Sequence, residues 1–217
     1  MNHTETLSTI LKHKAVAVIR LHDAIDTVHA LLAIEAILRG GVKIVEITLT
    51  TPKALDLVHT VRQQHSDAMV GVGSVLNRDE ASAAISAGAQ FVVSPVMKPE
   101  IVDACRAGSI VSIIGAFTPT EILTAHEVGA DIVKIFPADT LGMGYIKSIT
   151  APMPHLRVMP TGGVSLTNAG EWLLAGACAV GIGSALCDTT LVTTGNFTQL
   201  TENARMVVKA IHASTYG

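Results

Sequence analysis

What most constrains this chain is an alternation. Short runs rich in Val, Ile and Ala recur through its 217 residues and alternate with longer segments, several of which show helical spacing. The strand-like runs are 15–20, 44–48, 69–74, 91–94, 110–115, 132–135, 157–160 and 179–183. Helical spacing marks 52–64, 79–87, 100–107, 120–128 and 196–212. Eight runs over this length give about 27 residues per unit, the size of a compact strand–helix repeat. Strands that alternate with helices pair in parallel. The chain is therefore expected to be an α/β protein, a (β/α)8 barrel with residues 1–217 as one domain and a short N-terminal helix. The competing α/β arrangement, an open doubly wound sheet, calls for a glycine-rich turn after its first strand. Here that strand runs into Arg20-Leu21-His22-Asp23, which has no glycine.

Composition removes other classes. Hydrophobic residues make up 49% and charged residues 15%, with a formal charge of −3. Disordered chains need the opposite balance. No basic surplus suggests nucleic acid as a partner. Mean hydropathy is +0.47, yet apolar stretches such as 15–19 and 31–34 fall far short of the ~18 residues of a spanning helix. The first fourteen residues are polar and lack the apolar core of a signal peptide. A cytoplasmic protein that binds no membrane is expected. Cys105, Cys178 and Cys187 show no metal-ligand spacing and read as reduced thiols in or near the core.

Two charges interrupt runs that a barrel should bury. They are Lys134 in Ile132-Val133-Lys134-Ile135-Phe136-Pro137 and Glu46 in Ile44-Val45-Glu46-Ile47-Thr48-Leu49. Burying an unpaired charge costs several kcal/mol. An ion pair, or an outward position under the helices, would account for them blandly. Their chemistry suggests more. Desolvation or a neighbouring cation frees a lysine amine as a nucleophile. The amine forms a Schiff base with a carbonyl, and a nearby carboxylate can shuttle its protons. Period-two alternation puts Lys134 and Phe136 on one face of the sixth strand, and Glu46 and Thr48 on one face of the second. If both faces point inward, the pair meets near the barrel axis.

Further candidates cluster at strand ends. Arg20 closes the first strand, where a guanidinium can hold a carboxylate or phosphate in bidentate fashion. Thr161-Gly162-Gly163 follows the seventh strand, and Gly181-Ile182-Gly183-Ser184 closes the eighth. Loops after strands seven and eight often bind phosphate in such barrels, because glycine lets backbone N–H groups approach an anion. A second glycine set, Gly40-Gly41, Gly88, Gly108, Gly129 and Gly176, precedes strands and reads as left-handed helix endings. The nine histidines are scattered, with no HxH or HExxH pair, so no metal site is expected. No GxSxG elbow is present.

Val45-Glu46-Ile47-Thr48-Leu49-Thr50, Gly71-Val72-Gly73-Ser74-Val75-Leu76, Ser94-Pro95, Val133-Lys134-Ile135-Phe136-Pro137 and Pro160-Thr161-Gly162-Gly163-Val164 occur in that order. Together they resemble the class I 2-dehydro-3-deoxy-6-phosphogluconate (KDPG) aldolases, which often also cleave 4-hydroxy-2-oxoglutarate (KHG). The likeness runs from about residue 15 to 186. It implies that Lys134 is the Schiff-base lysine and Glu46 the general acid/base. Ser74 stands where the family usually has a threonine on the pyruvyl carboxylate. Pro95 and Phe136 match pocket walls, and Gly162, Gly163 and Ser184 match a phosphate site that Gly183 would share. Thr161 matches a position tied to stereochemical preference. Thr50 stands where many members carry a carboxylate-binding arginine, so the carboxylate is expected on Arg20, as in members with an arginine ending the first strand. Ile114 replaces a proline often found before Gly115.

The expectation is a cofactor-free lyase acting on a small 2-keto acid. KHG is the alternative substrate, since both substrates share the pyruvyl end. From the residues alone, a phosphosugar isomerase or epimerase barrel also fits the glycine loops, and a binding barrel with a mere Lys134–Glu46 ion pair stays open. A homo-oligomer is expected because Ala30-Leu31-Leu32-Ala33-Ile34-Glu35-Ala36-Ile37-Leu38 is unusually apolar for a helix with a wet face. The resemblance implies a trimer.

Overall fold

A computed structural model describes residues 2–22 and 25–215. Eight parallel strands form one sheet in the order β7-β6-β5-β4-β3-β2-β1-β8. They are β1 Ala15–Ile19, β2 Ile44–Thr48, β3 Met69–Gly73, β4 Phe91–Ser94, β5 Val111–Ala116, β6 Ile132–Ile135, β7 Val158–Pro160 and β8 Val180–Ile182. The last seam, between β7 and β8, is closed by the parallel bridge Thr161–Gly181 and by the Cys178 N–H donating to the Val158 carbonyl at 2.9 Å. The ring is thus the (β/α)8 barrel expected, with its weakest ladder between its two shortest strands.

Ten α-helices accompany the described strands: α1 His3–His13, α2 Thr27–Arg39, α3 Ala54–Gln64, α4 Arg78–Ser86, α5 Pro99–Ala107, α6 Pro119–Glu127, α7 Gly142–Thr150, α8 Ala169–Leu174, α9 Thr189–Thr193 and α10 Phe197–Thr215. Their starts follow local chemistry. Asn2 and Thr118 each form a capping box, with Glu5 and Glu121 reaching back; such reciprocal bonds satisfy two otherwise orphaned N–H groups. The Phe117 and Thr118 N–H groups hold the Glu121 carboxyl below its ordinary pKa.

Strand parity divides the core in two. Val16, Ile44, Met69, Phe91, Val93, Val111, Ile113, Ile132 and Met159 fill the barrel interior, with Ile10 of α1 closing the floor. Residues of the other parity, such as Ala17, Val45, Val70, Val92, Val133 and Val158, pack outward beneath the helices. Glu46 and Lys134 share the parity of Ile44 and Ile132, so they belong to the interior face.

Two expectations need correction. The apolar segment 30–38 lies in α2, where Ala33, Ile34, Ala36 and Ile37 are fully buried. Helix α10 covers one side of it: Thr201 Oγ1 donates to the Ala36 carbonyl at 3.0 Å. At Gly40, a Cβ would sit 2.4 Å from that of Ala204. Most of the segment's apolar surface is therefore spent within this chain. The glycine endings are also not uniform. Gly41, Gly88, Gly129 and Gly176 have positive φ, whereas Gly40 and Gly108 end their helices with φ of −73° and −83°. After α5 it is Ser109 that takes the left-handed turn, at φ 54°.

The three cysteines are free, and burial pushes each thiol up to about 12. No helix among the described residues is long and apolar enough to cross a membrane.

Candidate active site

Lys134 sits on β6 and Glu46 on β2, across the barrel interior. Lys134 Nζ lies 3.9 Å from Glu46 Oε1, with the side chains only 4% and 1% exposed. That separation is within ion-pair range but longer than a hydrogen bond. Neither Glu46 carboxylate oxygen has a hydrogen-bond partner among the described residues. A fold that buries a carboxylate this way forgoes on the order of 1–3 kcal/mol of hydrogen bonding. The outward reading of the two charges is thus excluded, and an ion pair alone leaves that expense without return. Space for the carboxylate comes from β3. A Cβ on Gly73 would fall 2.0 Å from Glu46 Oε1. Lys134 Nζ also stands 5.0 Å from the centroid of the Phe136 ring, whose face attracts a cation.

Lys134 opens onto a cavity of about 320 Å³ at the C-terminal end of the strands, lined also by Arg20, His22, Thr50, Ser74, Pro95 and Phe136. Catalytic loops of such barrels lie at this end. A second cavity of about 480 Å³ shares Arg20, His22 and Phe136 and continues over Thr161, Gly162, Gly163, Gly183 and Ser184. The structure therefore brings the candidates to two cavities that share Arg20, His22 and Phe136; Glu46 lines neither and meets the site through Lys134.

The rim is held by hydroxyls. Thr51 Oγ1 donates to the Ile19 carbonyl and accepts from the Leu21 N–H, both at 3.2 Å. This pins the segment after β1 to the turn after β2. Leu21 is buried while Arg20 and His22 on either side of it are exposed. Thr48 Oγ1 lies 2.9 Å from Thr50 Oγ1. Ser94 Oγ donates to the Val96 carbonyl at 2.9 Å and fixes the turn that carries Pro95. Gly115 lets β5 approach that turn, since a Cβ there would lie 2.2 Å from the Pro95 carbonyl. Ser74 has φ 61°, a conformation strained for a non-glycine residue and more so for a β-branched one. A serine, which is not β-branched, therefore suits this backbone.

On the far side, Gly162 and Gly163 both take positive φ, at 98° and 71°. Asp139 lies close behind them, and a Cβ on Gly163 would be 2.7 Å from that of Asp139. Asn168 Nδ2 ties the loop by donating to the Gly163 carbonyl at 3.0 Å. Thr161 Oγ1 is buried without a hydrogen-bond partner among the described residues.

His22 was not singled out by the sequence. Its period-two relation to Arg20 was available as a signal, but a lone histidine in a loop carries little weight.

A sequence model of the KDPG and KHG aldolases matches residues 7–203. The chain belongs to the KDPG and KHG aldolase family. It is 31% identical over 208 residues to the 2-dehydro-3-deoxy-phosphogluconate aldolase of Treponema pallidum, covering 95% of this chain and 96% of that protein. It is 32% identical over 183 residues to the KHG/KDPG aldolase of Escherichia coli K12, covering 83% and 85% respectively. The KDPG aldolase of Legionella pneumophila, solved with pyruvate captured as a covalent carbinolamine, superposes with a TM-score of 0.84 at 27% identity, covering 93% of this chain and 97% of that one. Membership of the KDPG and KHG aldolase family makes the chain a carbon–carbon lyase. It sets aside the isomerase, epimerase and binding-barrel readings.

Proposed function

We propose that the chain cleaves KDPG to pyruvate and glyceraldehyde 3-phosphate through a Schiff base on Lys134. The observation that carries this reading is the buried Lys134–Glu46 pair at the base of an open cleft. The Lys134 amine adds to the C2 ketone to form a carbinolamine. Glu46 takes up and returns protons as water leaves, giving a protonated imine that serves as an electron sink. Removal of the C4 hydroxyl proton, by Glu46 directly or through water, breaks C3–C4. The bonding pair moves into an enamine and glyceraldehyde 3-phosphate departs. Protonation at C3 and hydrolysis of the imine release pyruvate and restore Lys134. These steps use no cofactor.

In this reading Arg20, Thr50 and Ser74 hold the pyruvyl carboxylate. Pro95 and Phe136 wall the pocket, and Thr161 faces the substrate hydroxyls. Gly162, Gly163, Gly183 and Ser184 receive the phosphate. A Cβ on Gly183 would meet nothing within 4 Å, so backbone sterics do not require glycine there, whereas an approaching anion would. KHG shares the pyruvyl end and is the second substrate this cleft would accept; the name of the E. coli relative carries both activities.

A cytoplasmic homotrimer belongs to the same proposal. With α2 largely covered, its support shifts to Leu76, Val96 and Phe117, exposed at 46%, 41% and 36% on loops after β3, β4 and β5. Light scattering should give three times the mass of the chain, and a monomer at micromolar concentration would refute it.

Incubation with pyruvate and borohydride followed by peptide mass mapping tests the chemistry. A reduced pyruvyl adduct on Lys134 is expected. Folded protein with no adduct, or with the adduct on another lysine, overturns the mechanism.

A further inference from the structure

The charges in the cleft do not balance against the substrate. A phosphorylated sugar acid brings one carboxylate charge and a phosphate carrying roughly 1.5 to 2 negative charges at neutral pH. Among the side chains lining the two cavities, only Lys134, Arg20 and His22 can be cationic. Lys134 keeps its positive charge as the protonated imine, but that charge faces the buried Glu46 carboxylate, 3.9 Å from Nζ. Arg20 is committed to the carboxylate. Behind the phosphate loop the nearest ionisable side chain is of the wrong sign. A Cβ on Gly162 would lie 3.2 Å from Asp139 Oδ1.

Backbone N–H groups supply partial charges only. Taking up a phosphate beside Asp139 with no further cation would leave much of its charge uncompensated in a partly desolvated cleft. His22 is the remaining candidate, and its position suits the task. It lines the Lys134 cavity and the glycine-loop cavity at once, so it stands where they join. Its backbone is fixed on both sides. Leu21 is buried with its N–H on Thr51, and the His22 carbonyl accepts from the Ile25 N–H at 2.9 Å. The side chain itself is exposed and makes no ion pair among the described residues. An imidazole offers an N–H donor, and a positive charge when an anion sits beside it.

We propose that His22 is a specificity-determining residue that donates to the 6-phosphate and sets the preference for phosphorylated over unphosphorylated 2-keto-3-deoxy acids. The inference rests on the imine reading above, because it takes Arg20 and Lys134 as already engaged.

The test compares kcat/KM for 2-keto-3-deoxygluconate with and without its 6-phosphate, in wild type, His22→Ala, His22→Arg and Arg20→Ala. His22→Ala should lower the phosphorylated-to-unphosphorylated ratio about tenfold, the scale of one charge-assisted hydrogen bond, mainly through KM. His22→Arg, which keeps donor and charge, should restore most of that ratio. Arg20→Ala should weaken both substrates together and leave the ratio near wild type. An unchanged ratio in His22→Ala overturns the proposal, as does a ratio that falls in Arg20→Ala instead. The parent reading fails separately. If wild type forms no pyruvyl adduct at Lys134, the imine mechanism is wrong. If it forms the adduct but treats both substrates alike, only the assignment of phosphate to His22 falls. Circular dichroism on each variant separates a specificity change from a loss of fold.

Discussion

Two glycines on β3, Gly71 and Gly73, use the same device for opposite ends. A side chain at Gly71 would meet the Phe91 ring at 2.5 Å, and one at Gly73 would meet the Glu46 carboxylate at 2.0 Å. Both positions face inward and both give up a side chain so that a neighbouring strand can fill the space. Low in the barrel the space goes to an aromatic ring, and the interior becomes a close-packed plug floored by Ile10. Two residues higher it goes to a carboxylate with no hydrogen-bond partner among the described residues, beside a lysine. The lower level contributes stability through burial and dispersion. The upper level forgoes some of that stability, which is what the proposed imine chemistry requires of it.

The two levels differ most at Lys134. Lys134→Ala should cost about four orders of magnitude in turnover, as removal of a principal catalytic group does. Replacing the pair together, as Glu46→Leu with Lys134→Met, makes the upper level chemically like the lower. That double variant should be inactive yet equal to wild type or up to about 4 kcal/mol more stable in urea unfolding. A clear loss of stability would mean the pair is structural. Phe91→Ala should do the reverse. It should cost about 3–5 kcal/mol while the folded fraction still forms the pyruvyl adduct.

A finer test sets the two glycines against each other. Gly73→Ala should lower kcat about a hundredfold by displacing the carboxylate on the order of an ångström. Gly71→Ala should cost about 1–3 kcal/mol of stability from overpacking, with kcat close to wild type. Similar effects of both substitutions would show that the two levels are not separate in role. The smallest effect is expected at the floor, where Ile10→Val should cost about 0.5–1.5 kcal/mol and leave kcat untouched.

These differences also explain what could be read in advance. All eight strands were legible because each is a short, mostly apolar run ended by glycine, proline or a polar turn. Which way they face was not. Barrel strands are buried on both sides, so Ile44-Val45-Glu46-Ile47 shows no polar–apolar alternation from which to choose a face. The two charges were visible as interruptions, but that they converge depended on the barrel closing. Helix α7 was not anticipated, because Gly142 and Gly144 in its first turn suppress the helical signal. Helices α8 and α9, of six and five residues, are too short to show a period. The apolar α2 was legible as a helix, yet its partner, α10, lies over 150 residues further along the chain. Much of a surface that looked destined for another subunit is already taken, with Leu32 left 37% exposed. His22 escaped notice because its significance is positional, at the junction of two cavities that only the folded rim defines.

The Thr51 hydroxyl has a practical consequence for redesign. It fastens the segment bearing Arg20 and His22 to the turn bearing Thr50. The loops after β1 and β2 are thus not independent modules. Grafting one of them from a relative with different substrate taste would import its side chains without the peg that aims them. In the proposed reading of Arg20, His22 and Thr50, the two loops form the smallest transplantable unit of recognition.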